Sequence, residues 1–343
     1  MKKYLFLISI FFLSCQEEIT LELPRGDDKL VVQGTIENGF PPYVVLTKNQ
    51  GYFDPINSNT YNNFFVDNVD EIKIWYTDEE GIIIESKDLE LFDTDLSELI
   101  IGQPLPIYTV TDLDSSNIND YEFSKAGREY FLEIKWNNEI ITAQTTIPNP
   151  TPLDCLWVEQ SETAENDWKC DIRAIYSDPI NEQNNILIKS KRIQHYNFNA
   201  DSCLTRNKAD LQLQLIDAGS DVLINGESFE TYFPRPSENG FPTGKYNSKH
   251  EKECDDGNIL ERKEDIVLIK FCQIDEPSMK FWRGVVRQAG TNGNPFAEPM
   301  NLSSNINGGL GAFTGYGSVY YKVPIIKDTT IINTIKPNIL DIF

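Results

Sequence analysis

Apolar and polar residues alternate along much of this chain. Residues 71–76 (EIKIWY) set Ile72, Ile74 and Tyr76 on one face, and residues 128–136 (REYFLEIKW) set Tyr130, Leu132, Ile134 and Trp136 on one side. Successive side chains of a strand point to opposite faces, so a period of two predicts half-buried strands. Asn137-Asn138 supplies a hairpin tip, after which Ile141, Ala143, Thr145 and Ile147 carry the alternation on. Earlier, residues 30–37 (LVVQGTIE) and 43–47 (YVVLT) form a strand pair around Asn38-Gly39 and Pro41-Pro42, and the turn Asp78-Glu79-Glu80-Gly81 leads into another strand at 82–84. Short strands joined by turn residues, without a helical period, predict a mainly β protein. Its first domain, residues 30–148, is expected to be a β-sandwich of immunoglobulin or transthyretin kind. Pro148, Pro150 and Pro152 then punctuate the chain and mark the expected boundary.

The remainder, residues 149–343, reads as a second β-rich domain with one packed helix. Strands are expected at 171–177, 185–198, 211–216 and 265–274, with loops over 199–210 and 235–263. Asp275-Glu276-Pro277 opens a helix over 278–289 (SMKFWRGVVRQA), because acidic residues and proline suit a helix N-terminus and Gly290 suits its end. Phe281, Trp282, Val285, Val286 and Ala289 form its apolar stripe. Glycines crowd residues 304–317, but no GxxxxGK[ST] is present. Tight turns and close strand approach explain them better than a phosphate loop. A closing strand is expected at 319–323 and a weakly ordered tail after Pro324.

The first fifteen residues change the picture from architecture to address. Lys2 and Lys3 precede an apolar run over 4–13, and Ser14 stands directly before Cys15. A secretory signal has this layout, and the cysteine at the cleavage site resembles a bacterial lipobox. The apolar run is short of the roughly 20 residues needed to span a bilayer. Residues 1–14 are thus expected to be a lipoprotein signal peptide, Cys15 the lipidated N-terminus, and 15–29 a tether. The acidic run Gln16-Glu17-Glu18 reads either as a surface-export signal or as a solvated linker.

Charge narrows the partners. The chain carries a formal charge of −23, and loss of Lys2 and Lys3 with the leader takes two positive charges from it, leaving −25. Such a surface repels phosphate backbones, so nucleic acid is not an expected partner. Five cysteines follow the lipobox, Cys155, Cys170, Cys203, Cys254 and Cys272, enough for two disulfides at most, with connectivity open.

Candidate chemistry is sparse. No GxSxG is present, and His195 and His250 are the only histidines, so neither a nucleophilic triad nor a metal site is expected. Carboxylate pairs such as Asp93 with Asp95 or Asp112 with Asp114 could serve a hydrolase. Asp112, Asp114 and Asp120 could be offered to calcium, but the register lacks the EF-hand glycine and final glutamate. The long aperiodic stretch 50–65 holds Tyr52, Phe53, Tyr61, Phe64 and Phe65. These five either form a partner-binding surface or tuck back over the sandwich edge. No catalytic residue and no cofactor is expected.

The chain resembles a Bacteroidota lipoprotein family of unknown function, the domain of unknown function 4249. The likeness runs over nearly the whole length. It is carried by the lipobox, by LVVQGTIENGFPPYVVLT, and by the alternating strands that close at TTIPNP. In the second half it rests on Ser177-Asp178-Pro179, Asn184-Asn185, Asn225-Gly226 and NPFAEPMNLSSNINGGLGAFTGYG. The resemblance implies an outer-membrane lipoprotein, at the cell surface or on the periplasmic face, that works beside a SusC-like TonB-dependent receptor. A structural, adhesive lipoprotein is the alternative, and a carboxylate-based hydrolase stands behind both. The resemblance carries over no catalytic residues, and the cysteine-rich second half departs from it.

Overall fold

In the first half the alternation folds as read. A computed structural model describes residues 29–49, 64–92, 105–114, 116–160, 170–180, 182, 184–196, 208–209, 213–220, 225–233, 251–253, 259–291, 301–326 and 328–339. Its first-half strands are β1 (Leu30–Glu37), β2 (Phe40–Lys48), β3 (Glu71–Thr77), β4 (Ile83–Asp88), β5 (Glu90–Leu91), β6 (Ile107–Thr109), β7 (Glu129–Trp136) and β8 (Glu139–Thr146). Asn137 and Asn138 take φ of 52° and 63°, the left-handed pair that a two-residue hairpin between β7 and β8 requires. The second half supplies β9 (Cys155–Gln160), β10 (Cys170–Ser177), β11 (Asn185–Tyr196), β12 (Lys208–Ala209), β13 (Gln214–Ser220), β14 (Ser228–Phe233), β15 (Glu251–Glu253), β16 (Ile259–Ile274), α1 (Glu276–Thr291), β17 (Ile306–Asn307), β18 (Leu310–Pro324) and β19 (Thr330–Ile331).

These strands form three sheets. The largest has ten strands in the order β12-β11-β16-β18-β1-β2-β6-β5, with β13 on β11 and β15 on β16. A five-stranded sheet runs β17-β8-β7-β3-β4, and a four-stranded sheet runs β14-β10-β9-β19. One face of the large sheet is a floor for both smaller ones. At one end Leu30, Val32, Val44, Leu46 and Phe313 pack on Ile72, Ile74, Leu132 and Ile134. At the other, Val267, Ile269, Phe271, Tyr321 and Val323 pack on Leu156, Val158, Ile172 and Ala174. Phe313 and Tyr321 lie an even number of residues apart on β18, so one strand serves both cores from one face.

The prolines at 148–152 lie where the chain leaves the five-stranded sheet for the four-stranded one. The ten-stranded sheet, however, draws β1, β2, β5 and β6 from before that point and its other strands from after it. The join is a parallel ladder from Val31↔Leu310 to Glu37↔Tyr316. A contact between residues so far apart in sequence leaves no trace in local periodicity. Three expectations need correction. The stretches read as loops contain β12, β15 and the start of β16. The closing strand starts at Leu310 rather than 319, because its glycines continue the strand. The tail after Pro324 is packed: β19 pairs with β9, Ile335 N–H donates to the Tyr320 carbonyl at 2.8 Å, and Ile339 N–H donates to Asn119 Oδ1 at 2.7 Å.

The residues that carry the family likeness act as structural ties. Buried Asp178 accepts from Tyr176 Oη (3.1 Å), Asn184 Nδ2 (3.2 Å) and the Gly226 amide (3.0 Å), joining three segments at one carboxylate. Asp275 caps α1, accepting from the Ser278 amide at 2.9 Å through Oδ1. Its Oδ2 accepts from Thr145 Oγ1 at 2.7 Å, so the cap also fastens the helix to β8. The helix runs two residues earlier than read and past Gly290 to Thr291. Its Met279, Trp282 and Val286 cover Leu187, Cys272, Ile274 and Tyr316 on the other face of the large sheet.

Tyr130, near the start of β7, makes a tyrosine corner like that of Greek-key sandwiches. Its hydroxyl donates to the Phe123 carbonyl at 2.7 Å and accepts from the Lys125 amide at 2.8 Å. Tyr130→Phe leaves that amide without its partner. The expected loss is about 1–3 kcal/mol, read as a shift in urea midpoint at unchanged slope.

Candidate functional site

A row of polar side chains crosses the face of the large sheet opposite the floor, the face on which α1 packs, and most of it is buried. It begins with Lys189 on β11 and continues through Lys270 on β16, Tyr316 and Tyr320 on β18, and Glu37 on β1. Lys270 Nζ and Glu37 Oε2 are 2.5 Å apart, and both side chains are 4% exposed. Tyr320 Oη donates to the other oxygen of Glu37 at 2.5 Å. Strand pairing sets this geometry: Lys270 lies opposite both Lys189 and Tyr320, and Glu37 opposite Tyr316.

Two lysines thus stand in one row with a single carboxylate, which pairs with Lys270. Lys270 also lies 4.3 Å from the Tyr316 ring centre, and Lys189 lies 4.6 Å from that of Trp282 and 5.3 Å from that of Tyr316. The rings take the place of a second anion, since the negative face of an aromatic ring attracts a cation. Burial, and then the Lys270 charge, lowers the Lys189 pKa to about 8. Burial pulls Lys270 down too, but the Glu37 carboxylate outweighs it and its pKa is raised. Burial holds the Tyr316 and Tyr320 hydroxyls protonated well above their ordinary range. It pushes the Cys272 thiol up to about 12, and that thiol donates to the Leu187 carbonyl at 3.1 Å. Neutral and buried, Cys272 is not a nucleophile near neutral pH.

Beside this row, Tyr320 also lines a cleft of about 370 Å³, which reaches the lower end of the usual ligand-pocket range. Its walls are the turn at Asn38-Gly39-Phe40, the segment 119–126, and the C-terminal segment 334–337. Four charged side chains line it, and they pair among themselves. Lys336 reaches Asp120 at 2.9 Å, and Lys125 pairs with Glu122. Ser124 lies at its wall, 1% exposed, and its Oγ has no hydrogen-bond partner among the described residues.

The sequence-derived candidates lie elsewhere. Cys15, Tyr52, Phe53 and Tyr61 fall outside the described residues. Phe65 forms a bridge with Thr47, Phe64 stands edge-on to Phe65 at 5.8 Å, and the next amide, Val66 N–H, donates to Leu46 O at 2.9 Å. That end of the aromatic stretch is therefore fastened to the edge of β2. The three carboxylates considered for calcium have other partners. Asp112 takes Lys87 at 2.7 Å and Tyr121 at 2.5 Å, Asp114 binds the Ser116 and Asn117 amides of its own turn, and Asp120 holds Lys336. Burial pushes the Asp112 pKa up, but Lys87 and Tyr121 outweigh it and hold it low. Among the described cysteine side chains, Cys155 and Cys272 are free thiols, which leaves three of the five after Cys15 and one disulfide at most.

Sequence reasoning missed Glu37, Lys270 and Ser124. One signal was available: Lys270 is the one charged residue inside the apolar stretch IVLIKFC. Residues 16–321 match the family model described as a domain of unknown function, DUF4249. No curated protein matches the chain.

Proposed function

The chain belongs to the DUF4249 family, and from that premise we propose that it is a non-catalytic, lipid-anchored protein of the outer membrane, displayed at the cell surface as an accessory subunit of a SusC-like TonB-dependent receptor. The observation that carries the reading is the layout of the first fifteen residues, a positive start, a short apolar run and Ser14-Cys15. Lipid chains on Cys15 would anchor the body by hydrophobic insertion, at roughly 0.8 kcal/mol for each buried methylene. No helix among the described residues is long and apolar enough to cross a membrane. Without the leader the body carries a formal charge of −25, which disfavours contact with an anionic leaflet, so the lipid would carry the attachment.

The fold suits a tethered module. The expected tether leads into β1, which opens at Leu30 and lies inside the large sheet with β2 on one side and β18 on the other. Tension on the tether would load both ladders along the strand axis, so that many hydrogen bonds must fail together. The same geometry suits the adhesive alternative, and the partner distinguishes the two. Affinity purification of the tagged protein from detergent-solubilised membranes is expected to recover a TonB-dependent barrel. Recovery of the protein without any barrel favours adhesion. Cys15→Ala is expected to move the protein from the membrane fraction to the soluble fraction. Retention of that variant in the membrane contradicts the anchor.

A further inference from the structure

We propose that the cleft beside Tyr320 binds a small, neutral, hydroxyl-rich ligand of one or two sugar rings. The inference goes beyond the envelope reading and does not depend on the anchor or the receptor.

The cleft's charge state points to this chemistry. The protein carries −23 overall, yet the four charged side chains lining the cleft, Asp120, Glu122, Lys125 and Lys336, cancel. Each carboxylate is matched with an ammonium at the cleft wall. Both pairs are largely exposed and hold only weakly, but their signs cancel, so the lining offers no net charge to an ionic ligand, and an anion would also meet the surrounding negative field. A neutral ligand meets no such cost, and its hydroxyls can donate to carboxylates and accept from ammonium groups at once. Size agrees. At about 370 Å³ the cleft reaches the lower end of the usual ligand-pocket range, room for a sugar ring or two but not for a folded partner.

Ser124 gives an independent sign. A buried hydroxyl without a partner destabilises the fold, and native proteins contain few of them. Ser124 is 1% exposed, lines the cleft and has no partner among the described residues. Such a group is explained if a ligand hydroxyl, reached by a small adjustment of the wall, completes it.

The test uses the full-length protein in detergent micelles, titrated by calorimetry with glucose, maltose and N-acetylglucosamine, with inorganic phosphate and glycinamide as charged comparators. At least one neutral sugar is expected to bind in preference to both comparators. Thr334 is exposed at the cleft wall, so Thr334→Trp is expected to fill the cleft and weaken that affinity at least tenfold without changing the thermal midpoint. Ser124→Ala is expected to raise the midpoint while weakening binding. Binding of a comparator alone, or no binding by any sugar, overturns the inference. So does sugar binding that Thr334→Trp leaves intact, or a Ser124→Ala protein that binds as tightly as wild type. Loss of the barrel partner would leave the sugar result unchanged, so the two proposals fail separately.

Discussion

Gly315→Val is expected to cost more than about 3 kcal/mol of stability, and to leave much of the protein insoluble on expression. The reason is space. Gly315 sits on β18 where the end of β8 crosses the large sheet. A Cβ there would lie 2.2 Å from the Thr146 carbonyl oxygen and 2.6 Å from its carbonyl carbon. Two residues on, a Cβ at Gly317 would lie 2.1 Å from the Pro148 carbonyl oxygen. Real Cβ contacts do not come that close, and the obstacle is backbone, which cannot turn aside as a side chain can. Any substitution must push β8 and the segment after it off the sheet. That movement would also break the 2.8 Å bond from the Gly315 amide to Thr145 Oγ1, and through Thr145 the link to the helix cap at Asp275. Both cores meet on this strand, so the damage is not local. Gly219→Ala provides the comparison, because nothing lies within 4 Å of a Cβ there and its φ is not in the left-handed region. Urea denaturation of the two variants should differ several-fold in cost. Equal, small costs would show that the glycines of this strand are not there for close approach.

Lys270→Met is expected to destabilise by about 3–5 kcal/mol, because it leaves Glu37 buried without its cation. Glu37 and Lys270 are each 4% exposed, so solvent cannot compensate either charge left alone. Glu37→Gln should cost a comparable amount from the other side, with a second ammonium, Lys189, already nearby in the row. The double variant Glu37→Leu with Lys270→Met tests the cause. Removing both charges removes both desolvation penalties, and the Tyr320 hydroxyl is then the main polar group left without its partner. The double variant is therefore expected to be more stable than either single one, with a coupling of several kcal/mol in the cycle. The sign of the pH dependence follows from the pair. The folded-state pKa of Lys270 is raised, so its stabilisation is complete below the ordinary lysine value of 10.5 and is lost as pH climbs through the raised one. Lys189, lowered to about 8, acts oppositely, and its penalty is relieved between pH 8 and 10.5. If the single variants match wild type, the row is solvated and the packing account of this face is wrong.

What the sequence made legible follows from where the determining contact lies. β1, β3, β7 and β8 could be read because one face of each meets a core and the other meets solvent, and that difference is written into the residues as a period of two. The hairpin tip was legible because Asn137 and Asn138 tolerate the left-handed backbone that the turn needs. Asp275 could be read as a helix start because a cap is a local device. The parallel pairing of β1 with β18 was not legible, since it depends on residues about 280 positions apart that meet only in the folded chain. β18 could be read only from residue 319, because its glycines suit turns as well as close strand approach, whereas Gly315 and Gly317 are strand residues under a crossing backbone. The family signature at Asp178, Asn184 and Gly226 could be seen as a pattern, but its role as a hydrogen-bonded knot could not. The cleft joins segments near residues 38, 122 and 335, and no local pattern marks such a meeting.

The account of function depends on what happens at residue 15. Intact-mass and peptide mass spectrometry of the protein purified from its native membrane measures this directly. The predicted result is a mature chain that begins at Cys15 and carries the added mass of acyl chains on its N-terminal peptide. A chain that retains residues 1–14, or one that carries an unmodified Cys15, would contradict the lipid anchor and the receptor partnership proposed from it.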